Sequence, residues 1–131
     1  MLTYSFAQII TPADLLPLFA QAGWTANRSS EAIQTLLDHT RVYLGVWDGT
    51  RLVGFARAIT DDLFRAYIED VIVDSTYRGQ GIGAEIMRHL LTRLAHVEEI
   101  TLNCEDHLIP FYERFGFERV GMAYMHIWKG G

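Results

Sequence analysis

The sequence predicts an α/β domain of the α+β kind: a mixed, mostly antiparallel sheet of about six to seven strands flanked by four helices. Three observations predict it. Three β-prone runs follow one another between residues 42 and 73, separated only by short turns. Two helical segments come before them. A glycine-rich turn opening a long amphipathic stretch comes after them. The full order reads β-αα-βββ-α-β-α-ββ, and residues 1–131 read as one domain, the size at which a single core suffices.

Leu2 to Ile10 alternates loosely and suits a first strand. Thr11-Pro12-Ala13-Asp14 is a helix start: Thr11 can cap, Pro12 fits the first helical position, and Asp14 favours the positive end. That helix runs to about Gln21 and stops near Gly23. Ser30-Glu31 starts a second helix, carrying Ile33, Leu36 and Leu37 to about His39. Strands Val42–Trp47 and Leu52–Thr60 flank Asp48-Gly49-Thr50, a hairpin turn. Asp61-Asp62 makes the next turn, and Phe64–Val73 is a long strand. In the helix that follows, Ile82, Ile86, Leu90 and Leu94 recur at every fourth position, which buries one face. Glu99–Cys104 reads as a strand and Leu108–Arg114 as a short helix ended by Gly116. Phe117–Val120 and Met122–Trp128 read as the last strands.

Composition narrows the function. Half the residues are hydrophobic and the formal net charge is −5. An acidic surface argues against nucleic acid as a partner but tolerates cationic ones such as amines. Cys104 is the only cysteine, so no intrachain disulfide forms and a reducing, cytoplasmic setting is expected. The first ten residues lack the basic and apolar regions of a signal peptide, and no apolar stretch is long enough to span a membrane. The five histidines show no metal-site spacing, so no metal is expected.

Arg78-Gly79-Gln80-Gly81-Ile82-Gly83 is the most informative segment. It lies between the apolar run Val71-Ile72-Val73 and a helix. A helix start offers N–H groups without intrahelical partners, and glycines let an anion come close, so the turn reads as a phosphate cradle. The spacing is wrong for a dinucleotide fingerprint, and Gly83-Ala84-Glu85 lacks the Lys-Ser/Thr of a nucleotide P-loop. A tight turn needing glycine only for geometry is the plain alternative.

At these residues the chain resembles the GNAT superfamily of acetyl-CoA-dependent N-acetyltransferases, whose Arg/Gln-x-x-Gly-x-Gly/Ala motif it fits in full. Pro110-Phe111-Tyr112-Glu113-Arg114-Phe115-Gly116-Phe117 looks like that family's aromatic-Tyr-x-x-x-Gly-Phe segment. The resemblance implies acetyl-CoA as co-substrate. Its pyrophosphate would sit on the backbone of Arg78, Gly79, Gln80, Gly81, Ile82, Gly83 and Ala84, and its pantetheine arm along Val71, Ile72 and Val73. It implies direct acyl transfer to an amine, with a backbone N–H near Val71 as oxyanion donor. Tyr112 is the implied acid for the departing thiolate, the alternative being plain packing beside Phe111 and Phe115. Glu69 and Asp70 are the candidate bases or substrate anchors, with water as the alternative. In a regular strand only one of the two can face a cleft, unless a bulge intervenes. Asn103 is placed to contact the cofactor or a bridging water, and Cys104 reads as a small packed residue.

The family builds its acceptor pockets from the first two helices and the last strands. Here that implicates Trp24, which can stack on an aromatic amine, and Arg28, which can bind an anionic group. Ile68 to Val73 with Leu102 to Asp106 resembles glucosamine-6-phosphate acetyltransferases, whereas Gly23-Trp24 and Leu52 to Ala58 resemble small arylalkylamine acetyltransferases. A small primary amine is the expected acceptor. A peptide acceptor, or acyl-CoA sensing without turnover, are the other readings. A homodimer using Tyr124 and Trp128 is also expected.

Overall fold

The computed structural model describes residues 1–130. Strands β1 (Leu2–Ser5), β2 (Val42–Asp48), β3 (Arg51–Thr60), β4 (Arg65–Val73) and β5 (Glu99–Thr101) form one sheet in the order β1-β2-β3-β4-β5. Neighbours are antiparallel except β4 and β5, which are parallel. Helices α1 (Pro12–Phe19), α2 (Ser30–His39), α3 (Ile82–Arg93) and α4 (Ile109–Glu113) complete the architecture.

Local chemistry explains the helix starts. At α1 the Asp14 N–H donates to Thr11 Oγ1 at 3.3 Å and the Thr11 N–H donates to Asp14 Oδ2 at 2.9 Å, a reciprocal capping box. At α2 the Ser29 hydroxyl oxygen accepts from the Ala32 N–H at 3.1 Å. Between β2 and β3 the hairpin turns at Gly49, whose φ is 61°.

Alternation along the strands divides the core between the two faces of the sheet. Val42, Leu44, Val46, Val53 and Ile68 pack against Ile86, Met87 and Leu90 of α3. Trp47, Leu52, Phe55 and Ile72 pack on the other face, against Leu15, Leu18 and Phe19 of α1 and Ile33 of α2. Gly45 lets this second layer close down. A Cβ there would stand 2.9 Å from Trp47 Nε1 and 3.0 Å from Ile10 Cδ1. Gly45→Ala should therefore lower the unfolding free energy by about 1–3 kcal/mol, as overpacking does, and urea denaturation will measure it.

Two expectations need correction. β5 ends at Thr101 rather than Cys104. Neither Phe117–Val120 nor Met122–Trp128 is a strand: residues 117–130 carry no helix or strand, so the sheet has five strands rather than six or seven. The alternation in that segment is real. A strand, however, takes its hydrogen bonds from a neighbour, and this segment meets none within the described residues.

Candidate active site

The start of α3 differs from those of α1 and α2. Its N-cap is Gly81, in the left-handed region at φ 81°, and no side chain caps it. The first-turn N–H groups, those of Ile82, Gly83 and Ala84, therefore have no intrahelical acceptor and no side-chain one. Gly79 is left-handed as well, at φ 80°. Open space lies where a Cβ would stand at either glycine, so both serve backbone shape. A hollow of about 380 Å³ lies against this turn, lined by Val73, Tyr77, Arg78, Gly81, Phe111 and Arg114 among others. Uncapped amides, the helix dipole and two arginines suit the phosphates of a bound nucleotide.

Asp74 secures the approach to this turn. It is 4% exposed and accepts from the Thr76 N–H at 2.9 Å, Thr76 Oγ1 at 2.7 Å, Gln21 Nε2 at 3.2 Å and Arg51 Nη2 at 3.0 Å. Burial pushes its carboxyl up, but these donors outweigh burial and bring it down to about 2.

The sheet opens beside the hollow. β4 pairs with β5 only from Arg65 to Tyr67. From Ile68 to Val73 the β5 side of β4 has no ladder partner among the described residues, which leaves backbone groups of Val71, Ile72 and Val73 for a bound chain to pair with. Phe111 and Tyr112 pack partly buried against the core near this opening. Tyr112 sits edge-on to Phe111 at 5.0 Å and to Phe117 at 5.9 Å. Burial, then the neighbouring Cys104, pushes its phenol up, so it holds its proton at neutral pH. Asn103 follows β5, and its Nδ2 donates to Tyr67 Oη at 3.0 Å. The Tyr67 phenol is raised by burial and then by the charge of Glu69. Tyr67 and Glu69, two residues apart on β4, share a face.

Asp70 occupies an unusual backbone position. The β3–β4 register shifts between Phe55↔Ile72 and Arg57↔Glu69, so Asp70 and Val71 together oppose Ala56 in a bulge. Asp70 has φ 55° and is 2% exposed. The bulge turns its carboxylate toward the α1–α2 loop. Oδ2 accepts from Arg28 Nη1 and Arg57 Nε, each at 2.7 Å, and Oδ1 accepts from Trp24 Nε1 at 3.2 Å. Burial raises this carboxyl, but the hydrogen bonds and charges of Arg28 and Arg57 win and hold it below the ordinary carboxylate range.

This arrangement bears on three expectations. A carboxylate held ionised by two guanidinium groups makes a poor general base, and Asp70 here ties Trp24 and Arg28 of the α1–α2 loop to Arg57 of β3. Arg28 directs its Nη1 to Asp70 and lies over the Phe19 ring at 5.1 Å, rather than standing free for an anionic ligand. Trp24 is 62% exposed and its indole N–H goes to Asp70, so its ring is tethered at the rim of the site. Glu69 is half-buried and makes no ion pair among the described residues. Arg57 and Tyr67 join the site without any motif to announce them. Arg57 left one trace, a charge in the middle of the apolar run Leu52–Ile59.

A larger groove, about 550 Å³, lies on the α2 face and is lined by Leu36, His39, Arg41, Arg57 and Thr60 among others. It is on the opposite face of the sheet from α3 and reaches the site only through Arg57. Among the described residues no cluster of three His, Cys, Asp or Glu could hold a metal, and no helix is long and apolar enough to cross a membrane.

An uncapped, glycine-built helix start thus lies beside an unpaired strand edge. Residues 9–117 match the family described as Acetyltransferase (GNAT) family, and the chain belongs to that family. It is 34% identical to the uncharacterized N-acetyltransferase ycf52 of Porphyra purpurea over 110 residues, which is 79% of this chain and 63% of that protein. It is 33% identical to serotonin N-acetyltransferase 2, chloroplastic, of Oryza sativa over 109 residues, covering 76% of this chain and 52% of that one. The chain thus spans about two thirds or less of the length of these relatives. A GNAT-family acetyltransferase structure from Streptococcus pneumoniae TIGR4 superposes with a TM-score of 0.79 at 28% identity, covering 96% of this chain and 98% of that one.

Proposed function

We propose that this chain is an acetyl-CoA-dependent N-acetyltransferase acting on a small primary amine, with residues 1–131 working as one domain in a reducing, cytoplasmic setting. The observation that carries the reading is the uncapped start of α3 meeting the unpaired edge of β4. When bound, acetyl-CoA supplies an activated acetyl group on sulfur. The chain's own residues do the rest. The amides of Gly79 to Ala84, with Arg78 and Arg114, hold the phosphates. Val71, Ile72 and Val73 would offer main-chain groups to the pantetheine arm, with the Val71 N–H as the oxyanion donor. Glu69 takes a proton from the acceptor's ammonium group and so frees the amine lone pair that attacks, with Tyr67 and Asn103 beside it. Tyr112 keeps a proton ready for the leaving thiolate.

The acceptor enters past Trp24, where Asp70 holds the α1–α2 loop. Similarity to a serotonin acetyltransferase over three quarters of this chain supports a small amine with an apolar body. Acetyl-CoA consumption with a panel of arylalkylamines, polyamines, amino sugars and peptides tests this. Thiol release with one of the small amines is expected. CoA binding without release across the whole panel would reduce the chain to a sensor, and release with peptides alone would replace the acceptor class. Tyr112→Phe should bind CoA as the parent does, by calorimetry, yet turn over about 100-fold more slowly. Unchanged turnover would leave Tyr112 as packing.

A further inference from the structure

The arginines that lack an ion pair divide between the hollow at α3 and the groove at α2. Every arginine of the chain except Arg41, Arg78 and Arg114 forms an ion pair among the described residues. Arg78 and Arg114 line the hollow at the start of α3. Arg41 lines the groove of about 550 Å³ on the α2 face, a volume that suits a small molecule. In this groove Ile59, on the middle strand of the sheet, is left 51% exposed.

The groove is basic in an acidic chain. His39, Arg41 and Arg57 line it and no Asp or Glu does, although the net charge of the chain is −5. Arg41 makes one long hydrogen bond among the described residues, from Nη1 to the Asp61 carbonyl at 3.4 Å. The Asp61 carboxylate itself turns to its own loop, accepting from the N–H groups of Leu63, Phe64 and Arg65. Arg57 donates only through Nε, to Asp70 Oδ2, an oxygen that Arg28 shares, so one negative charge serves two guanidinium groups. Glu69 stands directly across from Arg57 in the β3–β4 register, yet forms no ion pair with it among the described residues. Bare carbonyls at the end of α2 would repel an anion, but two of them are occupied. His39 Nδ1 donates to the Thr35 carbonyl at 2.9 Å and Thr40 Oγ1 to the Leu36 carbonyl at 2.6 Å.

We propose that this groove binds a small organic carboxylate, with Arg41 and the two unpaired Nη groups of Arg57 as its cationic donors and Leu36 and Ile59 against its carbon chain. A guanidinium fork matches a carboxylate with two parallel N–H···O bonds. The Arg57 side chain is only 14% exposed, so an anion that reaches it meets little screening water. The apolar part of the wall suits a carbon chain ending in one carboxylate better than a compact, hydrated phosphate. Two sources would supply that carboxylate. One is the acceptor itself, since Arg57 and the candidate base Glu69 face each other across β3 and β4, about 5 Å apart at Cα; this source rests on the acetyltransferase reading above. The other is a separate molecule, whose hold on Arg57 would pass to Asp70 and so to Trp24 and Arg28 at the rim.

NMR titration of the full chain with pentanoate, pentanol and inorganic phosphate tests the site. It needs no acetyl transfer, so its failure is distinct from failure of the proposed reaction. Pentanoate should shift the Arg57 Nε–H and His39 ring signals and bind roughly 10-fold more tightly than pentanol or phosphate. Arg41→Ala should weaken pentanoate by about 10-fold, and Arg41→Lys should recover part of that loss. Arg41 is exposed, so both variants should keep the parent melting temperature, which separates loss of the ligand from loss of fold. Acetyl-CoA consumption with pentylamine and with ω-aminopentanoate then identifies the source. A KM about 10-fold lower for ω-aminopentanoate, lost in Arg41→Ala, places the carboxylate on the acceptor. Equal KM values, with added pentanoate shifting the KM of pentylamine, make it a separate ligand. Pentanol or phosphate binding as tightly as pentanoate would overturn the proposal. So would silent Arg57 and His39 signals, or an Arg41→Ala variant that binds pentanoate as the parent does.

Discussion

Asp70→Ala should destabilise the fold by about 3–5 kcal/mol, because it leaves two guanidinium groups facing a site with no counter-charge. Arg57 has a side chain only 14% exposed and Arg28 one 27% exposed, so water cannot replace the carboxylate fully. The backbone adds to the loss, since Ala at φ 55° is strained. Asp70→Asn separates the two effects. Asn tolerates the left-handed region, so its smaller loss reports the charge alone. Chemical denaturation of both variants measures this, and a loss under about 1 kcal/mol for Ala would mean that the cluster is solvated and idle. The pH dependence has a definite sign. The folded-state pKa of Asp70 is depressed. Its contribution is therefore complete above the unfolded value near 4 and disappears as the pH falls through the lower folded value. Asp74, at about 2, behaves alike. Parent stability should fall steeply below about pH 4, and Asp70→Asn should flatten part of that fall.

The same cluster marks where the chain was legible and where it was not. Helix starts could be read because their chemistry is local: Thr11 with Asp14 and Gly49 in its hairpin act within a few residues of themselves. The uncapped start of α3 was legible for the same reason, a helix start with glycine in place of a capping side chain. The bulge at Asp70 was not. It depends on how β4 registers with β3, and pairing is a property of two strands at once. Nor could alternation from Met122 to Trp128 say what that segment would pair with. Periodicity reports which face a residue takes and leaves the neighbour open. Arg57 illustrates the limit. A lone arginine inside an apolar run signals a partner, but the partner is thirteen residues away across a bulge.

With Asp70 held ionised by arginines, the proton-accepting role proposed for this site falls to Glu69. Glu69→Gln should lower kcat/KM by about 100- to 10,000-fold at neutral pH, the range set by general base catalysis. Gln keeps the size of the side chain and its acceptor for the Asp70 N–H, now at 3.3 Å from Glu69 Oε1, so the bulge should survive. CoA binding should be unchanged, because Glu69 lies on the Tyr67 side of the opening and the cradle is at the start of α3. The rate loss should also depend on pH in one direction. A base is needed only while the amine arrives protonated. Above the amine's own pKa, near 10, free amine is abundant and the variant should close most of its gap to the parent. A rate–pH profile of both proteins with one amine decides the matter. If the two profiles run parallel at every pH, Glu69 orients the acceptor without taking its proton. If they coincide at neutral pH, water does the work of the base, and Tyr67 and Asn103 become the groups that hold it beside the opening of β4.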